Sequence, residues 1–167
     1  MPDLKRHIRD VPDFPQPGIL FRDIAPLLRH DFEGALHAVS ELLAPERWAG
    51  IDAIAGVESR GFILAAALAT RHRKGFVPIR KQGKLPPPVV AAPYQLEYGT
   101  GVLEMQPGTG TVVLVDDVLA TGGTLRAAAD LAVSSGYRVA ALLVLIDLGI
   151  APGLQWRELT PRAALQY

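Results

Sequence analysis

Apolar residues recur along this chain with two periods, and the points where each period starts and stops outline its elements. Leu4 and Ile8, four apart, suit a short amphipathic helix at the N-terminus. Pro12, Pro15 and Pro17 then fall within residues 10–18, where missing N–H donors predict an irregular loop. Phe32, Leu36, Val39 and Leu43 share one helical face over residues 32–43, with Asp31 positioned as a cap. The apolar run 51–56 reads as a short strand, the Ala- and Leu-rich stretch 61–70 as a helix, and 75–79 as the next strand. Residues 80–101 break the pattern with Pro86, Pro87, Pro88 and Pro93 and with Tyr94 and Tyr98. So long a stretch of weak regularity predicts a functional loop or an extended hairpin, with 102–105 as its returning strand. Further on, β-branched residues mark 111–115 as a buried strand, 124–134 reads as the helix after it, and 139–146 as another buried strand.

Strands alternating with helices predict an α/β fold: one domain over residues 1–167, with a mostly parallel central sheet flanked by helices. Ligands are expected beyond the carboxyl ends of the strands, where they collect in such sheets. No internal repeat or interdomain linker interrupts the 167 residues.

Composition narrows the chemistry. Cysteine is absent, which excludes a thiolate nucleophile and any Cys-ligated metal centre and makes a reducing, cytoplasmic setting the default expectation. Seventeen Lys and Arg balance seventeen Asp and Glu, so no global field draws the chain to nucleic acid or to an anionic membrane. Its longest apolar runs, 61–69 and 139–148, fall short of the roughly 20 residues needed to cross a bilayer. Neither a nucleic-acid nor a membrane partner is expected.

The segment Val112-Val113-Leu114-Val115-Asp116-Asp117-Val118-Leu119-Ala120-Thr121-Gly122-Gly123-Thr124 carries the chemistry. An apolar strand ends in two carboxylates and runs into a turn that opens a helix. Side chains on an extended chain alternate, so Asp116 and Asp117 are expected to have different tasks: one can face a sugar diol while the other steadies the loop or helps orient a hydrated cation. The turn has what a dianionic phosphate requires: glycines that let N–H groups converge, hydroxyls that donate, and the positive end of a helix behind them. Glycines and threonines alone would also make an ordinary capped turn; the paired acids directly before them set this one apart. The Gly-Lys-Ser or Gly-Lys-Thr of a P-loop and an early Gly-x-Gly-x-x-Gly are both absent.

This segment resembles the 5-phosphoribosyl 1-pyrophosphate signature of the type I phosphoribosyltransferases, and three further motifs resemble the adenine-specific branch of that family. Arg9-Asp10-Val11-Pro12-Asp13-Phe14-Pro15-Gln16-Pro17-Gly18-Ile19-Leu20-Phe21-Arg22-Asp23-Ile24 is similar to its N-terminal signature. Gly56-Val57-Glu58-Ser59-Arg60-Gly61-Phe62 is similar to its pyrophosphate loop, and Arg80-Lys81-Gln82-Gly83-Lys84-Leu85-Pro86 with Leu96-Glu97-Tyr98-Gly99 to its catalytic loop. The match spans residues 9–129 and weakens after Val144.

The resemblance implies a pentosyl-group glycosyltransferase of purine salvage and AMP biosynthesis. It would join adenine to 5-phosphoribosyl 1-pyrophosphate, giving AMP and pyrophosphate, with Mg²⁺ as cofactor. By matching position, Asp116 and Asp117 would hold the ribose hydroxyls, and Ala120, Thr121, Gly122, Gly123 and Thr124 would cradle the 5-phosphate. Glu58, Ser59, Arg80 and Lys81 would meet the pyrophosphate; at Glu58 many relatives have Asp, and the family usually holds a cis peptide there. Arg60 and Lys84 would stabilise the leaving group, while Glu97 would exchange a proton with the purine under a lid shielded by Tyr94 and Tyr98. Phe21, Arg22 and Ile24 would form the base pocket, with Phe21 stacking. Mg²⁺ would be held mainly by the substrate's pyrophosphate and ribose hydroxyls, with no certain protein ligand. A homodimer is implied, the loop of Arg80 and Lys81 reaching toward the neighbouring site. The chain departs from the family in Pro87, which replaces a glycine, and in a shortened connection over 105–110. Rival readings are a 6-oxopurine phosphoribosyltransferase, for which no O6-donating lysine is evident near 144–148, a pyrimidine or orotate transferase, disfavoured by the N-terminal signature, and a non-catalytic regulatory protein binding phosphoribosyl ligands, against which Glu97 and the basic loop argue.

Overall fold

The computed structural model describes residues 3–96 and 99–167. The chain forms two compact units, one up to Ala38 and one from Val39 onward.

In the first unit a 3₁₀ turn, Leu4–His7, stands where the Leu4 and Ile8 spacing placed a helix. The proline-rich stretch is less irregular than expected. Strand β1, Arg9–Pro12, pairs antiparallel with β2, Leu20–Asp23, so Asp10, Val11 and Pro12 belong to a hairpin and only the residues between the strands form a loop. Pro12 is tolerated because it ends its strand, where a missing donor costs least. The pairing sets Arg9 opposite Asp23 and Asp10 opposite Arg22, two crossed ion pairs. Gly18 N donates to Asp13 Oδ1 at 2.7 Å and closes the loop. Helix α1, Ala25–His30, is followed by α2, Phe32–Ser40, whose start is capped by Asp31 Oδ1 accepting from Gly34 N at 3.0 Å.

The second unit holds α3 (Pro45–Ala49), β3 (Ala53–Val57), α4 (Arg60–His72), β4 (Gly75–Lys81), β5 (Val90–Leu96), β6 (Gly99–Met105), β7 (Thr111–Leu119), α5 (Gly123–Ser134), β8 (Arg138–Asp147) and β9 (Arg162–Gln166). Its seven-stranded sheet has the order β5-β6-β4-β3-β7-β8-β9. Pairs among β4, β3, β7, β8 and β9 are parallel, whereas β6 runs antiparallel to β4 and β5. The sheet is therefore mixed, with a parallel majority.

Strands β7 and β8 supply the centre of the core, with Val112 to Val115 and Leu142 to Ile146 at most 1% exposed. Burial on both faces explains their unbroken apolar runs. Close approach of small residues brings α4 onto the sheet: a Cβ on Gly56 would lie 2.7 Å from that of Ala65. Residues 80–101 follow the extended-hairpin alternative. Strands β5 and β6 pair from Val90 opposite Met105 to Leu96 opposite Gly99, and Tyr94, Leu103 and Met105 are buried. Two further expectations are corrected. Strand β7 continues through Asp116 and Asp117 to Leu119, because Val118 and Leu119 still pair with Ile146 and Asp147. Strand β9, unanticipated, adds in parallel to β8.

Candidate active site

A cleft of about 540 Å³ opens where β3, β4 and β7 end. Glu58 and Ser59 follow β3 and Arg60 starts α4; Lys81 ends β4 and Gln82 follows it; Asp116 and Asp117 lie on β7, with Thr124 in the first turn of α5. The hairpin contributes Tyr94, Gly101 and Val102.

The two acids differ as their alternation requires. Asp116 is half-buried and its Oδ1 accepts from Asp117 N at 2.9 Å. Asp117 is 6% exposed and stands against Arg60, whose Nε lies 2.9 Å from Oδ2. The angle is not that of a hydrogen bond, so this buried oxygen has no hydrogen-bond donor among the described residues. Burial, then the charge of Asp117, holds the Asp116 carboxyl well above the ordinary carboxylate range. Burial also raises Asp117, against the opposing pull of Arg60. Gly61 lets α4 start directly against this strand: a Cβ there would come within 2.9 Å of Asp116 Oδ1 and 3.0 Å of Val115 O.

Glu58 ties two strand ends together. Its Oε2 accepts from Lys81 N at 2.9 Å and its Oε1 from an Arg80 guanidinium nitrogen at 3.1 Å. The Lys81 backbone bond, chiefly, lowers the Glu58 carboxyl below its ordinary value. The Glu58-Ser59 peptide is cis. Arg80 also donates to Lys84 O at 3.1 Å and stands 5.9 Å from the Phe62 ring centroid. The guanidinium is thus engaged within its own chain, and Lys81 is the basic residue of this run that lines the cleft. Lys84 is exposed and is not among the lining residues.

The turn 120–124 bends at a glycine. Gly122 has φ +82° and its carbonyl accepts from Arg126 N at 3.0 Å as α5 begins. A Cβ on Gly122 would lie 2.4 Å from Leu154 Cδ2, so glycine is required both by conformation and by space. Ala120 and Gly123 are half-buried, Thr121 is exposed, and Thr124 reaches the cleft.

In the first unit Phe21 is half-buried and packs edge-to-face with Phe14 at 5.1 Å. Arg22 pairs with Asp10. Ile24 is 2% exposed, so its side chain is packed inside rather than offered to a ligand. Glu97 and Tyr98 lie outside the described residues. Gln82, Gly101 and Val102 were not anticipated as cleft residues; a one-dimensional pattern carries no register from which to place them.

Over 166 residues the chain is 53% identical to the adenine phosphoribosyltransferase of Bdellovibrio bacteriovorus, covering 99% of each chain. The chain belongs to the adenine phosphoribosyltransferase family. The family's domain, described as the phosphoribosyl transferase domain, matches residues 34–154. The fold is similar to the crystal structure of the adenine phosphoribosyltransferase of Rhodothermus marinus, with a TM-score of 0.84 and 42% identity, over 98% of this chain and 96% of that one. It is also similar to the Saccharomyces cerevisiae enzyme complexed with an imino-altritol bisphosphate and adenine, with a TM-score of 0.88 and 35% identity over 97% and 96% of the two chains. Family membership makes the α/β mixed sheet the type I phosphoribosyltransferase fold.

Proposed function

We propose that the cleft between Glu58 and Thr124 binds 5-phosphoribosyl 1-pyrophosphate and that its residues divide the work of breaking and making the bond at C1. The chain is a pentosyl-transferring glycosyltransferase of purine salvage: it moves the phosphoribosyl group to adenine, giving AMP and pyrophosphate. The observation that supports the site assignment is the continuity of β7 into α5, which brings two acids and, after a turn with positive φ at Gly122, Thr124 to one cleft. The turn 120–124 binds the 5-phosphate through backbone N–H groups at the start of α5. Asp116 accepts from the ribosyl diol, and Asp117, held by Arg60, keeps negative charge beneath the sugar as positive charge develops at C1.

As the C1 to pyrophosphate oxygen bond breaks, adenine N9 forms the new bond through its lone pair and the ring proton leaves from N7. Glu97 is the group assigned to that proton, at adenine N7, with Tyr98 and Tyr94 shielding the reaction. Lys81 and the loop 58–60 meet the departing pyrophosphate, with Arg80 acting through Glu58 to hold Lys81 in place. Phe21 and Arg22 are assigned to the base.

Among the described residues no group of three or more His, Asp or Glu could cage a metal ion. The carboxylates of Asp116 and Asp117 in the cleft are a donor set that suits Mg²⁺, which keeps its waters and takes one or two carboxylates plus phosphate oxygens. Asp116 and Asp117 would contact the hydrated ion, held mainly by pyrophosphate and ribose hydroxyls. When bound, the ion offsets charge on the leaving group.

A homodimer belongs to the same reading. Its support is an apolar patch where Phe62 meets Phe76 edge-to-face at 5.5 Å beside the exposed Ile63. A cytoplasmic setting is supported by the absence of cysteine. Among the described residues no helix is long and apolar enough to cross a membrane.

The test is a steady-state assay with the activated sugar, Mg²⁺ and adenine, hypoxanthine, guanine or xanthine, run on wild type and Glu97→Gln. Turnover with adenine, and a fall in kcat of about a hundredfold in the variant with modest change in sugar binding, is expected. Equal turnover would remove Glu97 from the chemistry, and turnover with the 6-oxopurines alone would move the chain to the rival base class.

A further inference from the structure

Tyr94 stands on β5 directly opposite Gly101 on β6. Its ring lies over that glycine: a Cβ on Gly101 would come within 2.5 Å of Cε1, 2.9 Å of Cζ and 3.0 Å of the hydroxyl oxygen. Any other residue at 101 would push the ring away. The ring is 8% exposed and joins the core cluster with Val57, Ile79, Leu103 and Leu125. Yet Tyr94 also lines the cleft with Asp116 and Glu58. A residue with its body in the core and its edge in a substrate cleft has few rotamers left, so its polar tip is a fixed point.

We propose that Tyr94 is a substrate-positioning residue whose hydroxyl donates to the ribosyl diol oxygen that Asp116 binds, with Gly101 required to seat the ring. The inference rests on the reading that Asp116 accepts from the diol. A sugar hydroxyl that gives its proton to a carboxylate keeps lone pairs to accept another bond, and a phenol across the cleft supplies it. Burial first, then the charges of Asp116 and Glu58, raises the Tyr94 phenol above its ordinary range, so it stays protonated and a donor. The hairpin thereby contributes a specificity contact through the buried Tyr94, independent of the role assigned to Glu97.

The experiment is calorimetric titration of AMP, 2′-deoxy-AMP and 3′-deoxy-AMP into wild type, Tyr94→Phe and Gly101→Ala. Phenylalanine keeps the ring, so the fold is expected to be retained, as a thermal melt would verify. Tyr94→Phe should bind AMP about five- to tenfold more weakly, the loss expected for one neutral hydrogen bond. That penalty should vanish for the deoxy analogue that lacks the contacted hydroxyl. Gly101→Ala, which retains the hydroxyl but displaces it, should give the same selective pattern. Equal penalties for AMP and both analogues, or no penalty at all, would overturn the proposal, because a merely structural tyrosine cannot distinguish one hydroxyl. If wild type failed to bind AMP, the assignment of the cleft would fall first.

Discussion

Replacing Gly122 by alanine tests the phosphate turn through two separable costs. The backbone there has φ +82°, a conformation that costs an L-residue about 1–2 kcal/mol. The new methyl would also stand 2.4 Å from Leu154 Cδ2 and 2.9 Å from Cδ1, and Leu154 is 9% exposed within the core cluster, with little freedom to retreat. Overpacking of that kind adds about 1–3 kcal/mol. The sum is about 2–5 kcal/mol, which for a chain of this length lowers Tm by roughly 5–15 °C. Because Gly122 also precedes the first turn of α5, AMP affinity should fall with stability. Leu154→Ala separates the two contributions. It is destabilising alone, through the cavity it leaves, but in the double variant the methyl has room and the costs should be sub-additive by about 1–2 kcal/mol. The backbone cost remains. Thermal melts of the four proteins with AMP titrations provide the assay. An unchanged Tm and unchanged AMP affinity in Gly122→Ala would refute the reasoning, and strict additivity would refute the contact with Leu154.

Asp116→Asn should trade function for stability. The folded protein raises this carboxyl, so its contribution is present below the ordinary carboxylate value and is lost as pH rises through the raised one. The amide escapes that loss and its oxygen can still accept from Asp117 N, so Tm at pH 8 should rise by a few degrees, for a gain of about 1 kcal/mol, while kcat/KM for the activated sugar falls at least about tenfold. A lower Tm at pH 8 would contradict this. Glu58→Gln should act with the opposite sign. Glu58 is lowered in the fold, so its bonds to Lys81 N and Arg80 stabilise fully above the ordinary glutamate range and fade as pH falls through the lowered value. Melts should place the variant about 1–2 kcal/mol below wild type at pH 7, with the gap closing as pH falls through the lowered value, and with poorer use of the activated sugar at neutral pH; a gap that does not narrow in acid would count against the carboxylate as its source.

Elements with a strong apolar period were legible, the buried strands by unbroken runs and the helices by one apolar face: β3, α4, β7, α5 and β8 stand within a few residues of where periodicity put them. What escaped were elements whose evidence lies in their partners. Strand β9 has the undistinguished sequence Arg162-Ala163-Ala164-Leu165-Gln166 and exists because β8 offers it a rim. The β1 and β2 hairpin was obscured by prolines that fall at its strand end and in its loop. The turn that opens α5 could be read locally, since the glycines, hydroxyls and helix start are consecutive. The pairing of Arg80 with Glu58 and of Arg60 with Asp117 could not, because each joins neighbouring strand ends, and neither could the distance of Lys84 from the cleft.

The outer strands bear on how the protein behaves when concentrated. An open sheet ends in rows of unsatisfied backbone groups that can recruit further chains. Here the first rim, β5, has Pro93 in mid-strand, which removes a donor from any growing ladder, and the opposite rim, β9, is five residues long and begins with the exposed Arg162. Neither offers a long, regular template, so fibrillar growth from the native state has no good place to begin.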